Sequence, residues 1–283
     1  MAQKEVFLNC SEIASFIGQN KWDYLTPFMR LWKKVDKENY ILCENEAKNK
    51  GKKIIIDKVA ELKETLGEDV IKQLTESTSE NKIVSNNIKE SHDLIEKMDI
   101  DIEKKTELKA NVESLINTNF GTNNEDGALE IYEKKYKVIL DKSQYYNKIN
   151  CFDSNKYKWY IGGKVDGILD KQKIIEVKTR TRCFFKDVRE YENTQMQMYM
   201  YMYNYDKTDL VEFLPQNKIK IKVTSVKKDE NYIKRILEKL KIFTINFENF
   251  IDSDLNDKYE FYNKTESQKK DYLSELYINK MYT

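Results

Sequence analysis

Gly163-Lys164-Val165-Asp166-Gly167-Ile168-Leu169, followed by Ile174-Ile175-Glu176-Val177-Lys178, is the stretch that decides how the chain is read. Side chains on a strand alternate between its two faces. Glu176 and Lys178 therefore share one face, and Ile175 and Val177 share the other. An acid and a lysine inside an otherwise apolar strand cost several kcal/mol to bury unless they are paired or metal-bound. A short turn at 170–172 makes the two segments an antiparallel hairpin and brings Asp166, on the preceding strand, towards Glu176. Two converging carboxylates offer an oxygen-rich site to a hard cation, Mg2+ or Mn2+. The lysine beside them can orient a water and stabilise charge developing on phosphorus. The bare spacing Asp-x(9)-Glu-x-Lys also describes a surface strand pair joined by a Glu–Lys ion pair. Its surroundings favour a site. Gly162, Gly163 and Gly167 are three of only eight glycines in the chain, placed where a backbone must bend or approach a ligand. Gln195, Gln197 and Tyr199 lie on the helix that follows, and Glu125 on the helix that precedes.

Working outward, β-branched and aromatic runs at 157–161, 164–169 and 173–177 read as a meander of strands. A long helix with a Met/Tyr-rich face is expected over 186–205, strands over 210–214 and 219–226, and amphipathic helices over 231–250 and 267–281. Upstream, 10–18 reads as a short helix ending at Gly18, and Pro27 opens a second through Phe28, Leu31, Trp32 and Val35. Between about 48 and 119 the chain is polar, with apolar residues at three- and four-residue steps (Ile55, Val59, Leu62, Leu66, Val70, Leu74). It reads as two or three helices joined near Gly67 and Ser77-Thr78-Ser79. A further helix is expected from about 124 to 135. The order is α/β, a mixed sheet flanked by helices with an inserted helical arm. The core takes 1–43 and 117–283, and the insertion 44–116.

Composition narrows the chemistry. The 283 residues are 40% hydrophobic and 34% charged, with mean hydropathy −0.75. No apolar run is long enough for a membrane span, and Met1–Glu5 lacks the apolar region of a signal peptide. A single histidine, His92, leaves Ser-His-Asp, Cys-His and multi-His zinc mechanisms only that residue to draw on. Cys10, Cys43, Cys151 and Cys183 show no Cys-x-x-Cys spacing and are expected as reduced thiols in a cytoplasm. Net charge is only +1, but it is unevenly placed. Residues 44–116 carry 17 acids and 13 bases, 171–186 six bases and one acid, and 215–243 nine bases and three acids. A polyanion would dock on the C-terminal half.

Four blocks, in order, resemble the PD-(D/E)XK nuclease superfamily, specifically its lambda-exonuclease/YqaJ-type viral recombinase branch. They are Ser11-Glu12-Ile13-Ala14 with Phe16-Ile17-Gly18, Lys21-Trp22 and Thr26-Pro27-Phe28; Gly121-Thr122 through Glu125 and Ala128 with Tyr132; the Asp166/Glu176/Lys178 hairpin; and Gln195-Met196-Gln197-Met198-Tyr199-Met200. The resemblance implies a restriction-endonuclease-like core and a Mg2+-dependent deoxyribonuclease, with Mn2+ as substitute. Asp166, Glu176 and the carbonyl of Val177 would hold the metal, with Glu125 completing the site or holding a water in it. Lys178 would be the catalytic lysine. Gln195 would orient the site, supported by Tyr199, itself a candidate DNA contact. Ser11 would lie near a terminal phosphate, with Lys21, Arg180 and Arg182 as further DNA contacts. Members of the family often carry an arginine shortly before that serine, where this chain offers only Lys4, and compact members lack the arm. The implied activity is a 5′→3′ exonuclease on double-stranded ends, in recombination or replication of a virus or mobile element, acting in the host cytoplasm. Its partners would be DNA, a single-strand annealing protein and further copies of itself, with no membrane. An endonuclease on the same core and an inactive DNA-binding scaffold are the rival readings.

Other features divide between two readings. The Met/Tyr run 196–205 is core or a base-stacking platform. Arg180 and Arg182 contact phosphate or water. Lys218, Lys220 and Lys222 form a DNA stripe or an ordinary solvent face. His92 reads as a surface residue. The arm is a clamp, a partner-binding element, or an insertion without function, and its net negative charge argues against direct DNA contact.

Overall fold

A computed structural model describes residues 3–50, 58–76, 84–215 and 220–282. Within them, seven strands form two sheets, and helices cover both. The chain is mixed α/β, as its order of elements implied.

The first sheet has the order β1-β3-β2. β1 (Lys4–Asn9) runs parallel to β3 (Tyr157–Gly163), and β2 (Asn147–Asp153) antiparallel to it. The second has the order β4-β5-β6-β7. β4 (Gly167–Leu169) and β5 (Lys173–Thr179) form the antiparallel hairpin, β6 (Lys207–Leu214) lies parallel to β5, and β7 (Lys220–Lys227) closes the edge. The expected three-strand meander is therefore split: β3 pairs in the first sheet and β4 in the second. Residues 164–166 bend between them, so Asp166 precedes β4 rather than lying on a strand. The hairpin turn is Asp170-Lys171, both left-handed (φ 51° and 54°), with the Gln172 N–H donating to the Leu169 carbonyl at 3.0 Å. Two successive left-handed residues match the twist of the flanking strands, which pins the register Gly167↔Ile175.

After β1, a 3-10 turn (Cys10–Glu12) leads into α1 (Ile13–Phe16), then α2 (Leu25–Val35) and α3 (Lys37–Asn49). Phe28 on α2 meets the rings of Phe247 and Phe250 on α10 (Glu230–Asp252) and of Phe261 on α11 (Leu255–Asn263), all edge-on. Tyr40, Cys43 and Ala47 on α3 belong to this same large core, so α3 packs there through residue 44, where the sequence suggested the insertion begins. The C-terminal helix expected over 267–281 is α12 (Glu266–Leu273), continued by a π turn (Ser274–Ile278) and a 3-10 turn (Asn279–Met281).

The arm is α4 (Lys58–Leu66), α5 (Glu68–Glu76), α6 (Val84–Glu96) and α7 (Ile102–Asn123). Gly67 joins the first two with φ +86°, a conformation that glycine adopts without a Cβ clash. Leu62, Ile71, Val84, Ile95, Leu108, Val112, Ile116 and Phe120 form a core of their own. Ile55, Ser77-Thr78-Ser79 and the side chains of Val59 and Leu74 lie outside what is described. Gly121 and Thr122 fall inside the last turn of α7. His92 on α6 is half-buried. No helix among the described residues is long and apolar enough to cross a membrane.

α8 (Glu125–Tyr136) and α9 (Glu190–Tyr203) sandwich the second sheet. Ile175 and Val177 pack with Ala128, Leu129 and Tyr132 of α8, which turns Glu176 and Lys178 towards α9. Met196, Met198, Met200 and Met202 of α9 are buried. The Met/Tyr run is core, as one of its two readings held, and not an exposed platform.

Candidate active site

Glu176 is only 3% exposed. Its Oε1 accepts from Lys178 Nζ at 2.8 Å, and its Oε2 is buried without a hydrogen-bond partner. Asp166 stands opposite, because the register that pairs Gly167 with Ile175 runs on to place 166 beside 176. Its Oδ2 accepts from the Val177 N–H at 2.7 Å. Lys178 Nζ also donates to Gln195 Oε1 at 3.2 Å, and Gln195 Nε2 donates to Tyr199 Oη at 3.3 Å. Four of the expected residues, Glu176, Lys178, Gln195 and Tyr199, thus form one continuous chain from β5 to α9, with Asp166 tied to the same strand through Val177.

The electrostatics follow from crowding. Burial, then the Glu176 carboxylate, lift Asp166 well above the usual aspartate range, and the Val177 N–H and Lys178 only partly offset this. Glu125, the first residue of α8, is raised by burial and then by Glu176. For Lys178, burial works against the ammonium, but Glu176 and Asp166 outweigh it and hold the group charged above the usual lysine range. Three carboxylates thus share one field with one ammonium. Such a set is relieved by added positive charge.

The donor chemistry fits a divalent cation. A buried carboxylate oxygen without a partner is costly, and Glu176 Oε2 is one. Mg2+ keeps several waters and needs only one or two carboxylates, which Asp166 and Glu176 supply. Among the described residues no group of three or more His, Cys, Asp or Glu side chains is arranged to hold a metal. Glu125 reaches the pair through its field rather than as part of such a group.

Two expected DNA contacts are placed elsewhere. Arg180 is 8% exposed and forks onto Glu192 Oε1 and Oε2 at 2.7 and 3.1 Å, with Nε on Glu212 Oε1 at 2.9 Å. It is turned inward, with three of its five N–H groups on these two carboxylates. Tyr199 is 4% exposed, under Gly163, where a Cβ would meet its ring at 3.1 Å. Its hydroxyl accepts from Gln195, and its ring is closed off from solvent. Ser11, Lys21 and Arg182 are exposed. Of the lysine stripe, Lys220 is exposed, Lys222 is turned inward onto Glu212 at 3.3 Å, and Lys218 lies outside the described residues.

Two buried groups, one beside the site and one behind its sheet, were not read from the sequence. Cys10 is buried, and burial with the field of Glu176 raises its thiol. On the opposite, α8-facing side of the sheet, in register with Ile175, Asp209 of β6 is 3% exposed and accepts from Tyr132 Oη at 2.6 Å and from Lys173 Nζ at 3.1 Å, and is also bonded by Ser225. The signal was present: Asp209 and Glu212 are the only acids in the apolar run 208–214.

No family model matches the chain, and no curated protein matches it. Among solved structures, a phage related exonuclease from Haemophilus somnus 129PT is similar with a TM-score of 0.44 at 16% identity, over 88% of this chain and 96% of that one. An alkaline exonuclease from Laribacter hongkongensis is similar with a TM-score of 0.42 at 13% identity, over 87% of this chain and 89% of that one.

Proposed function

We propose that this chain is a divalent-metal-dependent deoxyribonuclease that hydrolyses phosphodiester bonds, acting as a 5′→3′ exonuclease on duplex ends in the recombination or replication of a virus or mobile element. The observation that carries the reading is the buried, partnerless Oε2 of Glu176, beside Asp166 and within the same network as a charged Lys178. Asp166 and Glu176, with the carbonyl of Val177, hold Mg2+ or Mn2+. The cation, when bound, supplies a Lewis acid that polarises a phosphoryl oxygen and eases deprotonation of water. Lys178 stays protonated and places its ammonium where charge develops on the phosphoryl oxygens. Gln195 holds Lys178 from the α9 side, and Tyr199 fixes the amide of Gln195, so the ammonium is aimed before substrate arrives. Glu125 sits at the edge of this field and holds a water there.

End-labelled linear duplex and covalently closed circles, incubated with Mg2+, with Mn2+ and with chelator, test the reading. Degradation of linear DNA alone, abolished by chelator, is expected. Nicking of the circle would move the activity to endonuclease. Failure to cut either substrate with either metal would refute the nuclease and leave a DNA-binding scaffold.

A further inference from the structure

The loop 181–189 begins three residues after Lys178 and is fastened at Phe185, Lys186 and Arg189. Below it, Arg180 is buried on Glu192 and Glu212. The Phe185 N–H donates to Glu212 Oε1 at 2.9 Å. The Phe185 ring lies between two guanidiniums, 4.1 Å from that of Arg180 and 4.2 Å from that of Arg189. Lys222 Nζ of β7 binds the carbonyls of Phe185 and Lys186. Held this way, the loop turns Arg182, Lys186 and Arg189 to solvent against one acid, Asp187. Arg182 and Lys186 make no ion pair among the described residues, and exposed Lys220 lies on the β7 face that carries Lys222. The loop is anchored at its middle by buried charge, which lowers the entropy cost of binding a chain.

We propose that loop 181–189 is a phosphate rail: Arg182 and Lys186, with Arg189 and Lys220 beside them, grip the sugar-phosphate backbone of the DNA strand that enters the Asp166/Glu176 site, and Phe185 is the positioning residue that locks the rail. This rests on the nuclease reading above. Because the contacts are to phosphate, they are independent of base sequence.

The test is binding of a fluorescent 20-nucleotide single strand to the full chain in chelator, across a salt series. Each lost phosphate contact on single-stranded DNA reduces the slope of log K against log salt by about 0.7. Arg182→Gln with Lys186→Gln is expected to lower the slope by about 1.4 and to weaken binding to mixed-sequence strands uniformly. Replacing single phosphates with neutral methylphosphonates should weaken wild-type binding at the positions that cross the rail and leave the double variant indifferent there. Phe185→Leu keeps every charge. It should weaken binding about threefold with the slope unchanged, since one aromatic-cation contact is worth about 0.5–1 kcal/mol. A double variant with the wild-type slope, or with the wild-type methylphosphonate pattern, overturns the rail. Cleavage without that slope change would sink the rail and leave the nuclease standing. A rail-dependent slope without cleavage of any DNA would do the reverse.

Discussion

Arg180→Ala is the substitution whose cost the structure sets most directly. The guanidinium bridges two carboxylates that are 1% and 2% exposed, making three charge-assisted hydrogen bonds of 2.7–3.1 Å. Its removal strands Glu192 and leaves Glu212 with Lys222 and the Phe185 N–H. Breaking a buried pair by removing one partner costs about 3–5 kcal/mol. With a urea slope of about 2–3 kcal/mol/M, the unfolding midpoint falls by about 1–2.5 M. The pH dependence adds a second check. Burial raises the Glu212 carboxyl, but the Phe185 N–H, Arg180 and Lys222 outweigh it and hold it below the usual glutamate range. A depressed carboxyl contributes stability that is present above its unfolded value, about 4.3, and is lost as pH falls through the folded value. Arg180→Ala removes part of that depression, so the gap between wild type and variant is widest near neutrality and narrows below about pH 4. Urea melts followed by tryptophan fluorescence at pH 7 and pH 4 measure both. A loss below about 1 kcal/mol, the range of surface pairs, or a gap that widens in acid, would refute the buried network. Arg180→Lys recovers little, because an ammonium cannot fork between two carboxylates.

Three further outcomes are expected. Lys178→Ala should reduce cleavage by about 10²–10⁴-fold, the usual worth of a positioned proton-transfer or charge-stabilising group, while filter binding shows DNA retained. Gly18→Ala should destabilise by about 1–2 kcal/mol in thermal melts: φ is +71° and the new Cβ lies 2.8 Å from Ile278 Cγ2. Tyr132→Phe should cost about 1–2 kcal/mol by taking one donor from buried Asp209. Burial raises the Asp209 carboxyl, but Ser225, Tyr132 and Lys173 together hold it below the usual range. The Tyr132→Phe deficit is therefore largest above about pH 4 and shrinks as acid protonates the carboxylate, which melts in citrate buffers will show.

The hairpin was legible because strand alternation is a strict rule: Ile175 and Val177 face α8, and Glu176 and Lys178 face α9, as period two demands. α8 and α10 were legible from helical spacing, and α9 from its Met/Tyr-rich run, although it spans Glu190–Tyr203 where 186–205 was expected. β1 and β2 were not, because Val6 and Leu8 are only two inward residues in a six-residue strand and β2 alternates weakly. The split of β3 from β4 was invisible for another reason. Pairing partners are set by distant segments, and β1, 150 residues upstream, claims β3. Arg180 was misplaced because a strand's end does not reveal which way its last charged side chain turns. Only Glu192 and Glu212, 12 and 32 residues further on, decide that.

Among the described residues the two sheets share no backbone pairing, and α9 packs against strands of both. Its four buried methionines, Met196, Met198, Met200 and Met202, fall two residues apart and so alternate between opposite sides of the helix. Thioethers are unbranched and soft, so this joint can absorb a small roll of one sheet without opening a void. The same softness makes it a chemical weak point. Sulfoxidation of any of these buried methionines would push a polar oxygen into that packing, on the helix that also carries Gln195.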